Sequence, residues 1–394
     1  MFKNPTLAIV ALVMLVNALA YGIIIPLLYP YASRFGIDPF GLSLLFVSFS
    51  IAQFFATPVI GRLSDRFGRK PLLLWCVAGT GLSLVMFALA TNIWLLFISR
   101  IIDGVTGGNL AVAQAMIADS TQGKERAKAF GILGAAFGFG FLAGPALGGL
   151  LSQISLTAPF WFAAALAFLA TILGVIFLKE TLTKTHQAEV KREHLFNFKA
   201  LFDALLKPLT GIILAVGFLT ALALNAFIIG FQSFTVDVLK LPATQIGLTF
   251  ALFGLVSVVM QAGGLRVVLK KVSSKRNILL VSLFSSAVIL VLVSLTRTVE
   301  TFVIVLFFHM VVSSFQQPIT TALLSERTKA EDQGILLGIN QSYVSLGQIA
   351  GPLLAGLVAV RSVPAIFALS AGLFLVAGLA AMKIKDRVTQ QVDV

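Results

Sequence analysis

The sequence predicts an all-α membrane protein with twelve transmembrane helices arranged as two pseudo-symmetric six-helix bundles. Three observations predict this class: recurring apolar runs, basic residues concentrated in alternate loops, and an internal repeat. The 394 residues are 58% hydrophobic and only 11% charged, whereas a soluble protein of this size carries roughly a quarter charged residues. Such a chain cannot present a polar surface to water on all sides.

Apolar runs of about 20 residues recur along the whole chain, and each is long enough to cross a hydrocarbon core about 30 Å thick. The predicted spans are 6–30, 41–61, 72–91, 94–118, 129–152, 159–178, 208–233, 244–265, 277–296, 301–323, 334–360 and 364–382.

The net charge of +13 is distributed according to membrane topology. Of the 29 Lys and Arg residues, 24 fall in alternate loops and tails, four (Arg34, Lys240, Arg297 and Arg361) fall in the others, and Arg100 lies inside a span. Because cytoplasmic loops carry the excess of basic residues, both termini are predicted to be cytoplasmic. The expected location is the inner membrane of a bacterium. The basic charge therefore does not indicate a nucleic-acid partner.

The longest polar interval divides the chain into an N-terminal bundle (1–178), a cytoplasmic linker (179–207) and a C-terminal bundle (208–394). The two bundles repeat each other at a shift of 207 residues, since Gly131 to Pro145 recurs as Gly338 to Pro352. Parallel repeats are typical of transporters whose substrate site lies midway through the bilayer between the halves.

The fifth span is unusually rich in glycine for a helix. Glycine costs a helix interior about 1 kcal/mol and proline about 3 kcal/mol relative to alanine. In lipid, however, small residues allow helix backbones to approach closely. We expect the fifth and eleventh helices to form a close seam across which the halves rock. The packing residues expected in the fifth helix are Gly131, Gly140, Gly144, Pro145, Gly148 and Gly149.

Three motifs resemble those of the major facilitator superfamily: Gly61-Arg-Leu-Ser-Asp-Arg-Phe-Gly-Arg-Lys70, Arg100-Ile-Ile-Asp-Gly-Val-Thr-Gly-Gly108, and the glycine pattern of the fifth span. The first half is most similar to the drug–proton antiporter branch, which includes the tetracycline efflux pumps. The resemblance implies the major facilitator fold and export by alternating access. Where the family's first helix carries an acidic residue nine positions before a proline, this chain has Asn17, nine before Pro26.

The resemblance also implies that the loop between the second and third spans latches the outward-facing state. Asp65 is expected against the positive N-terminal end of the eleventh helix, with Arg69 or Lys70 paired to Asp119. The alternative is that the cationic loop only fixes topology. The latch residues are Gly61, Asp65, Arg66, Gly68, Arg69, Lys70 and Asp119.

Of the 16 acidic residues, only Asp103 lies well inside a predicted span, where a charge costs about 2.5–3.5 kcal/mol on insertion scales. Arg100 lies three residues earlier on the same helix face. One hypothesis is that Asp103 alternates between pairing with Arg100 and carrying a proton; the alternative is a permanent structural pair. His309, which the repeat places opposite Ile102, is a candidate proton relay or a neutral hydrogen-bonding group.

In this fold the first, fourth, seventh and tenth helices are expected to line the cavity, with amides contributed by the second and eighth. A cavity of amides and aromatic rings with few fixed charges suits amphiphilic compounds, neutral or cationic. The candidate substrate contacts are Asn17, Tyr21, Gln53, Asn109, Gln114, Asn225, Phe231, Gln232, Gln261, Gln316 and Gln317.

The sequence has no phosphate-cradling GxxxxGK[ST] loop, and its one cysteine and three histidines leave little metal chemistry. We therefore expect a non-enzyme with no catalytic residues, no metal and no cofactor. The chain is expected to work as a monomer and to use the proton gradient to export small amphiphilic compounds such as antibiotics. Two alternatives remain open: a narrow-specificity exporter of a metabolite or siderophore, and an uncoupled uniporter.

Overall fold

The computed structural model describes residues 5–182, 198–208, 210–272, 274–328 and 333–384, and within these ranges all regular structure is helical. Eleven helices of the described ranges are long and apolar enough to cross a membrane, and a shorter apolar helix follows them at Ala365–Ala381. The predicted all-α membrane fold is confirmed. The eleven long spans are Thr6–Phe35, Pro39–Phe67, Arg69–Ala88, Ile93–Ser120, Lys128–Leu151, Ala158–Phe177, Gly211–Val238, Ala243–Lys271, Lys275–Leu295, Val299–Ser325 and Leu336–Ala359.

Several spans differ in detail from uniform α-helices. The first is an α-helix over Pro5–Ala32 that ends in a 3₁₀ turn, Ser33–Phe35. The seventh ends in a π-helical turn at Phe234–Val238, and the eighth contains one at Met260–Gly264. The predicted linker contains a short helix, Phe198–Leu206, while residues 183–197 lie outside the described ranges.

The chain folds into two compact units. Unit 1 consists of Met1–Asp38, Ser48–Phe196 and Leu241–Ala251, and unit 2 of Pro39–Val47, Asn197–Lys240 and Leu252–Val394. Each unit therefore takes in one short segment, the beginning of the eighth or of the second span, from the other half of the sequence. The division at residues 179–207 stays a prediction.

The fourth and tenth spans are each interrupted at equivalent positions of the repeat. The fourth consists of helices Ile93–Thr106 and Asn109–Ser120, and the tenth of Val299–Ser313 and Gln316–Ser325. The two-residue interruptions, 107–108 and 314–315, are related by the same shift of 207 residues. At both, the backbone departs from the regular α-helical bonding pattern: the N–H of Gly107 donates to Gly104 O at 3.0 Å and that of Phe315 to Val312 O at 3.5 Å.

The glycine motif of the fifth span packs mainly against the first span. A β-carbon added to Gly140 would lie 2.6 Å from the Leu15 carbonyl oxygen, and one added to Gly144 would lie 2.8 Å from that of Leu19. Gly22 faces this surface in return, with Pro145 beside it. The two backbones thus approach as closely as small residues permit.

Not every glycine of the motif packs against a neighbouring helix as expected. Gly148 packs against Ile23 and Leu27 of the first span, but Gly131 has open space around it. The packing expected of Gly131 is therefore not made within the described part of the chain. The other four motif glycines pack inside unit 1, and a seam between the halves stays a prediction.

The last glycine of each repeat packs against the beginning of a span from the other half of the sequence. Within unit 1, Gly149 lies against Gly247 in the first turns of the eighth span, where a β-carbon on Gly247 would be 2.7 Å from the α-carbon of Gly149. Within unit 2 its counterpart, Gly356, lies against Ser43 at the beginning of the second span. The equivalent glycine of each repeat thus contacts the beginning of the equivalent span, the eighth in unit 1 and the second in unit 2.

We predict that Gly144→Ala lowers the stability of the protein by about 1–3 kcal/mol, because the added methyl group would meet the backbone of the first span. Gly138→Ala is the matched control in the same helix, since a β-carbon there meets nothing within 4 Å; it should be neutral or stabilising by up to about 1 kcal/mol. Thermal unfolding of both variants in detergent measures the difference. Equal midpoints would contradict the close packing described here.

Candidate functional site

A cavity lies inside unit 1, where the first four spans meet. Its walls combine amides, two aromatic rings, a hydroxyl and a carboxylate. The residues lining it are Asn17, Ala20, Tyr21, Ile24, Phe49, Gln53, Thr80, Asp103, Gly107 and Asn109.

The charged feature of this cavity is a buried ion pair within the fourth span. Arg100 Nη1 lies 2.7 Å from Asp103 Oδ2, and the two side chains are only 3% and 9% exposed. The spacing of three residues places both on one helix face. The Arg100 guanidinium also lies 4.3 Å from the centre of the Phe49 ring, a cation–π contact. Thr80 is a further neighbour of the Asp103 carboxylate.

Amide side chains surround the interruption of the fourth span. Asn109, the first residue of the second helical segment, is almost fully buried and donates through Nδ2 to Asn17 Oδ1 at 2.7 Å. Gln53 Nε2 donates to the Gly107 carbonyl oxygen at 3.3 Å. The interruption is thus stabilised by polar groups of the first and second spans, as nonhelical backbone inside a membrane requires.

Glycines of the fourth span bring the second span to the site. A methyl group on Gly104 would collide with the backbone carbonyl of Phe49, and one on Gly107 would lie 2.6 Å from Gln53 Nε2. This close approach is what lets Phe49 reach Arg100 and Gln53 reach the interruption. The glycines following Arg100 therefore position a neighbouring helix.

Unit 2 has an equivalent amide but a different environment. Gln316, equivalent to Asn109, is fully buried and donates to Ser286 Oγ at 2.9 Å. His309 is also fully buried, packed against the rings of Phe227 and Phe374. Neither of its ring nitrogens has a hydrogen-bond partner within the described residues, so its role as a proton relay stays a prediction.

The predicted substrate contacts divide into four groups. Asn17, Tyr21, Gln53 and Asn109 line the cavity in unit 1. Three of the predicted residues have exposed side chains and are not among the residues that line the cavity: Gln114, Gln261 and Gln317. Three more have side chains that are fully buried among their neighbours: Phe231, Gln232 and Gln316. Asn225 is half-buried and donates to the Ala221 carbonyl of its own helix at 2.8 Å. Substrate contact by any of them stays a prediction.

The predicted loop after the second span is a helix–helix junction with Gly68 alone between the helices, and its polar contacts are organised around Arg69. Its guanidinium lies 2.5 Å from Asp65 Oδ1 and 3.0 Å from Asp119 Oδ2, and it also donates to Ser64 Oγ at 2.8 Å. The expected pairing with Asp119 is made by Arg69 rather than Lys70. Asp65 pairs with Arg69, four residues later, and its contact with the eleventh helix stays a prediction.

The remaining latch residues have separate surroundings. Arg66 is exposed and lies over the ring of Phe67. Gly61 has open space where a β-carbon would be, although its carbonyl accepts a hydrogen bond from Ser64 Oγ at 2.6 Å. Gly68 adopts φ 110°, a value that favours glycine, and thereby lets the chain turn directly into the third span.

Glu180, which the sequence did not single out, binds the beginning of the third span. Its carboxylate accepts hydrogen bonds from the backbone N–H groups of Arg69 at 3.0 Å and Lys70 at 3.1 Å. A carboxylate at a helix N-terminus is favourable because it meets free N–H groups and the positive end of the dipole. Because Glu180 follows the sixth span, these bonds join the end of that span to the beginning of the third.

The second half repeats this cationic arrangement. Lys275 forms an ion pair with Glu326, the counterpart of Asp119. At the end of the last helix of each half, a cation donates to a carbonyl: Lys70 Nζ to Val175 O at 2.9 Å, and Arg276 Nη2 to Met382 O at 2.7 Å. Cations at helix C-termini are favourable for the same electrostatic reason.

Sequence reasoning missed Phe49, Thr80 and Glu180. Phe49 is one of 34 phenylalanines, and nothing in its neighbours marks it. Thr80 lies in the third span, which was not expected to line the cavity. Glu180 carries a weak signal, since it is the first acidic residue after the sixth span. Within the described residues, no group of three or more His, Cys, Asp or Glu side chains could hold a metal ion.

A family profile and two relatives indicate one family for this chain, and a solved structure shares its fold. The profile of the Major Facilitator Superfamily matches residues 10–279 and 266–393. The tetracycline resistance protein of class C from Escherichia coli is 31% identical over 367 residues, covering 90% of this chain and 89% of that protein. Multidrug resistance protein 2 of Bacillus subtilis (strain 168) is 30% identical, covering 92% and 90%. The nucleoside transporter NupG, as a mutant, matches with a TM-score of 0.80 at 14% identity, covering 97% and 100%.

We predict that Arg69→Lys lowers the midpoint of thermal unfolding by about 1–2 °C, roughly 1 kcal/mol, without changing the amount of protein in the membrane. Lysine keeps the charge that sets topology but has no planar group to bond Asp65 and Asp119 together. Arg66→Lys at the same helix junction is the control and should leave the midpoint unchanged. An Arg69→Lys protein with the parental midpoint would show that only the charge matters here.

Proposed function

Because the chain belongs to the Major Facilitator Superfamily, we propose that it is a proton-coupled secondary transporter that exports small amphiphilic compounds by alternating access. The observation that carries the proposal is the Arg100–Asp103 ion pair, buried at 2.7 Å beside a cavity of amides and aromatic rings. Relatives that match nine-tenths of the chain bear the names tetracycline resistance protein and multidrug resistance protein, which supports drugs as the compound class.

The coupling follows from the cost of an unpaired charge. While Asp103 is ionised, it neutralises Arg100 and the site carries no net charge. A proton on Asp103 leaves the guanidinium without a counter-charge, and breaking a buried pair in this way costs about 3–5 kcal/mol. The protonated site is therefore tolerated only in a conformation that hydrates Arg100 or gives it another partner. Proton binding and conformational change are thereby linked.

The interruption at 107–108 gives the fourth span a place to bend when this happens. The segment that carries the ion pair ends at Thr106, and the segment held by Asn109 begins two residues later. The Asn17–Asn109 hydrogen bond holds the second segment to the first span while the first segment changes its tilt. A movement of Arg100 relative to the cavity thus does not require the whole span to move.

The energy source and setting are part of the same proposal. The proton gradient drives export without a cofactor, and each elementary charge gains about 2.3 kcal/mol per 100 mV of membrane potential. The chain works as a monomer in a bacterial inner membrane with both termini in the cytoplasm. The concentration of basic residues in alternate loops supports this orientation, and the Arg69 cluster acts as the latch of one end state.

We predict that Asp103→Asn abolishes proton-driven export of a compound that the parental protein exports. The amide cannot take up a proton and leaves Arg100 uncompensated, so this variant is also expected to be less stable. The double variant Arg100→Gln, Asp103→Asn removes both charges and should fold better while remaining uncoupled. The measurement is uptake into inside-out proteoliposomes under an imposed pH gradient, using compounds first identified in an efflux-deficient host.

The companion measurement is proton release when substrate is added to purified protein in detergent. The parental protein should release protons, and the double variant should not. If the double variant retains full proton-driven transport, Asp103 does not carry the coupling proton. Parental transport that ignores the pH gradient would identify a uniporter with a permanent Arg100–Asp103 pair.

A further inference from the structure

The cavity carries a carboxylate that is already neutralised by the protein's own cation. Asp103 is the acidic residue among the described residues that line the cavity, and its carboxylate is held by Arg100 at 2.7 Å. A positively charged ligand that approached Asp103 would therefore compete with a guanidinium that is only 3% exposed. Displacing it would leave a buried arginine unpaired, which is strongly unfavourable.

The aromatic surface that could attract a cation is also in use. The Arg100 guanidinium occupies the face of Phe49 at 4.3 Å. Tyr21 packs between two other rings, with its centroid 6.1 Å from that of Phe49 and 6.3 Å from that of Phe141. Carboxylates and open aromatic faces are the groups that recognise organic cations, and in this cavity the arginine occupies both.

The remaining polar groups of the wall are amides. In the Asn17–Asn109 bond the donor is Asn109 Nδ2 and the acceptor is Asn17 Oδ1. The bond itself therefore uses neither Asn17 Nδ2, a donor, nor Asn109 Oδ1, an acceptor. A donor on one side chain and an acceptor on its hydrogen-bonded neighbour are complementary to a carboxamide or a lactam, which carries one of each.

We propose, building on the exporter function above, that this cavity selects compounds without net charge that carry a carboxamide or lactam edge on an apolar ring system, and that it rejects permanent cations. An uncharged compound enters without disturbing the Arg100–Asp103 pair. The cavity encloses about 40 Å³ in this conformation, so such a compound enters when the first four spans move apart. It then exchanges hydrogen bonds with water for hydrogen bonds with Asn17 and Asn109, while its ring system contacts Tyr21 and Ile24.

This selectivity has a consequence for the energetics of transport. Exchange of an uncharged compound for a proton moves one net positive charge inward in each cycle. The rate should then respond to the membrane potential as well as to the pH gradient. Exchange of a monovalent cation for one proton would be electrically neutral and would respond to the pH gradient alone.

The test uses two fluorescent probes of the same shape that differ in charge: a coumarin carboxamide bearing a tert-butyl group and the same coumarin carboxamide bearing a trimethylammonium group. Export is measured in proteoliposomes under a fixed pH gradient, with a potassium–valinomycin clamp setting the potential. We expect the parental protein to transport the uncharged probe at least tenfold faster than the cationic one. A potential that drives positive charge in the direction of proton movement should accelerate transport of the uncharged probe.

Asn17→Asp supplies the matched gain of function. It adds a carboxylate beside Asn109 that Arg100 does not neutralise, so transport of the cationic probe should rise at least tenfold. Asn340→Asp introduces the same change in the eleventh span, outside the cavity, and should produce no such gain. The potential dependence of the parental protein tests the proposal independently, even if a variant fails to fold.

Equal or faster transport of the cationic probe by the parental protein would overturn the selectivity while leaving the exporter function intact. Transport of the uncharged probe that ignores the membrane potential would overturn it as well. Failure of Asn17→Asp, correctly folded, to gain cation transport would also count against it. Absence of gradient-driven export for these probes and for a wider compound panel would overturn the exporter function itself.

Discussion

A charge inside hydrocarbon needs a counter-charge, and the Arg100–Asp103 pair is how this protein meets that requirement at the centre of its first unit. The other features of the site follow from it. Phe49 covers the guanidinium, Thr80 adjoins the carboxylate, and glycines of the fourth span bring the second span close enough for Phe49 to do so. Because the pair is neutral as a whole, a single proton changes the charge of the site, and the surrounding helices have to respond.

The two halves share their framework but not their chemistry. Both interrupt the fourth helix of the repeat at the same position, both place a buried amide after it, and both join a cation to an acid near the third helix of the repeat. At the positions equivalent to Arg100 and Asp103, however, the second half has Phe307 and Met310, and its histidine is enclosed by aromatic rings. The shared framework accounts for the architecture, and the Arg100–Asp103 pair has no counterpart at the equivalent positions of the second half.

The sequence could predict the fold because each span is an uninterrupted local signal, readable from about twenty neighbouring residues. It could also predict the pairings of Arg100 with Asp103 and of Arg69 with Asp119, since charges are rare in the spans and the family motif limits the partners. It could not predict that the fourth span is interrupted, because Gly107 and Gly108 also suit a continuous, tightly packed helix. The roles of Phe49 and Glu180 could not be predicted, because they depend on contacts with residues far away in the chain, which no local pattern records. The packing of the fifth-span glycines on the first span escaped for the same reason: glycines indicate a close neighbour without identifying which helix it is.

The packing of Gly22 against Gly144 has a consequence for how the protein is made. The first span leaves the ribosome more than a hundred residues before the glycine surface that covers it, and at about 5–20 residues per second that interval lasts roughly 6–25 s. During this time the first span can meet the second and fourth spans, through Tyr21–Phe49 and Asn17–Asn109, but its glycine face still lacks the surface that covers it in the finished fold. The order of synthesis therefore leaves the closest helix–helix contact of the first unit to be made late, when the fifth helix is inserted beside a first helix that is already in the membrane.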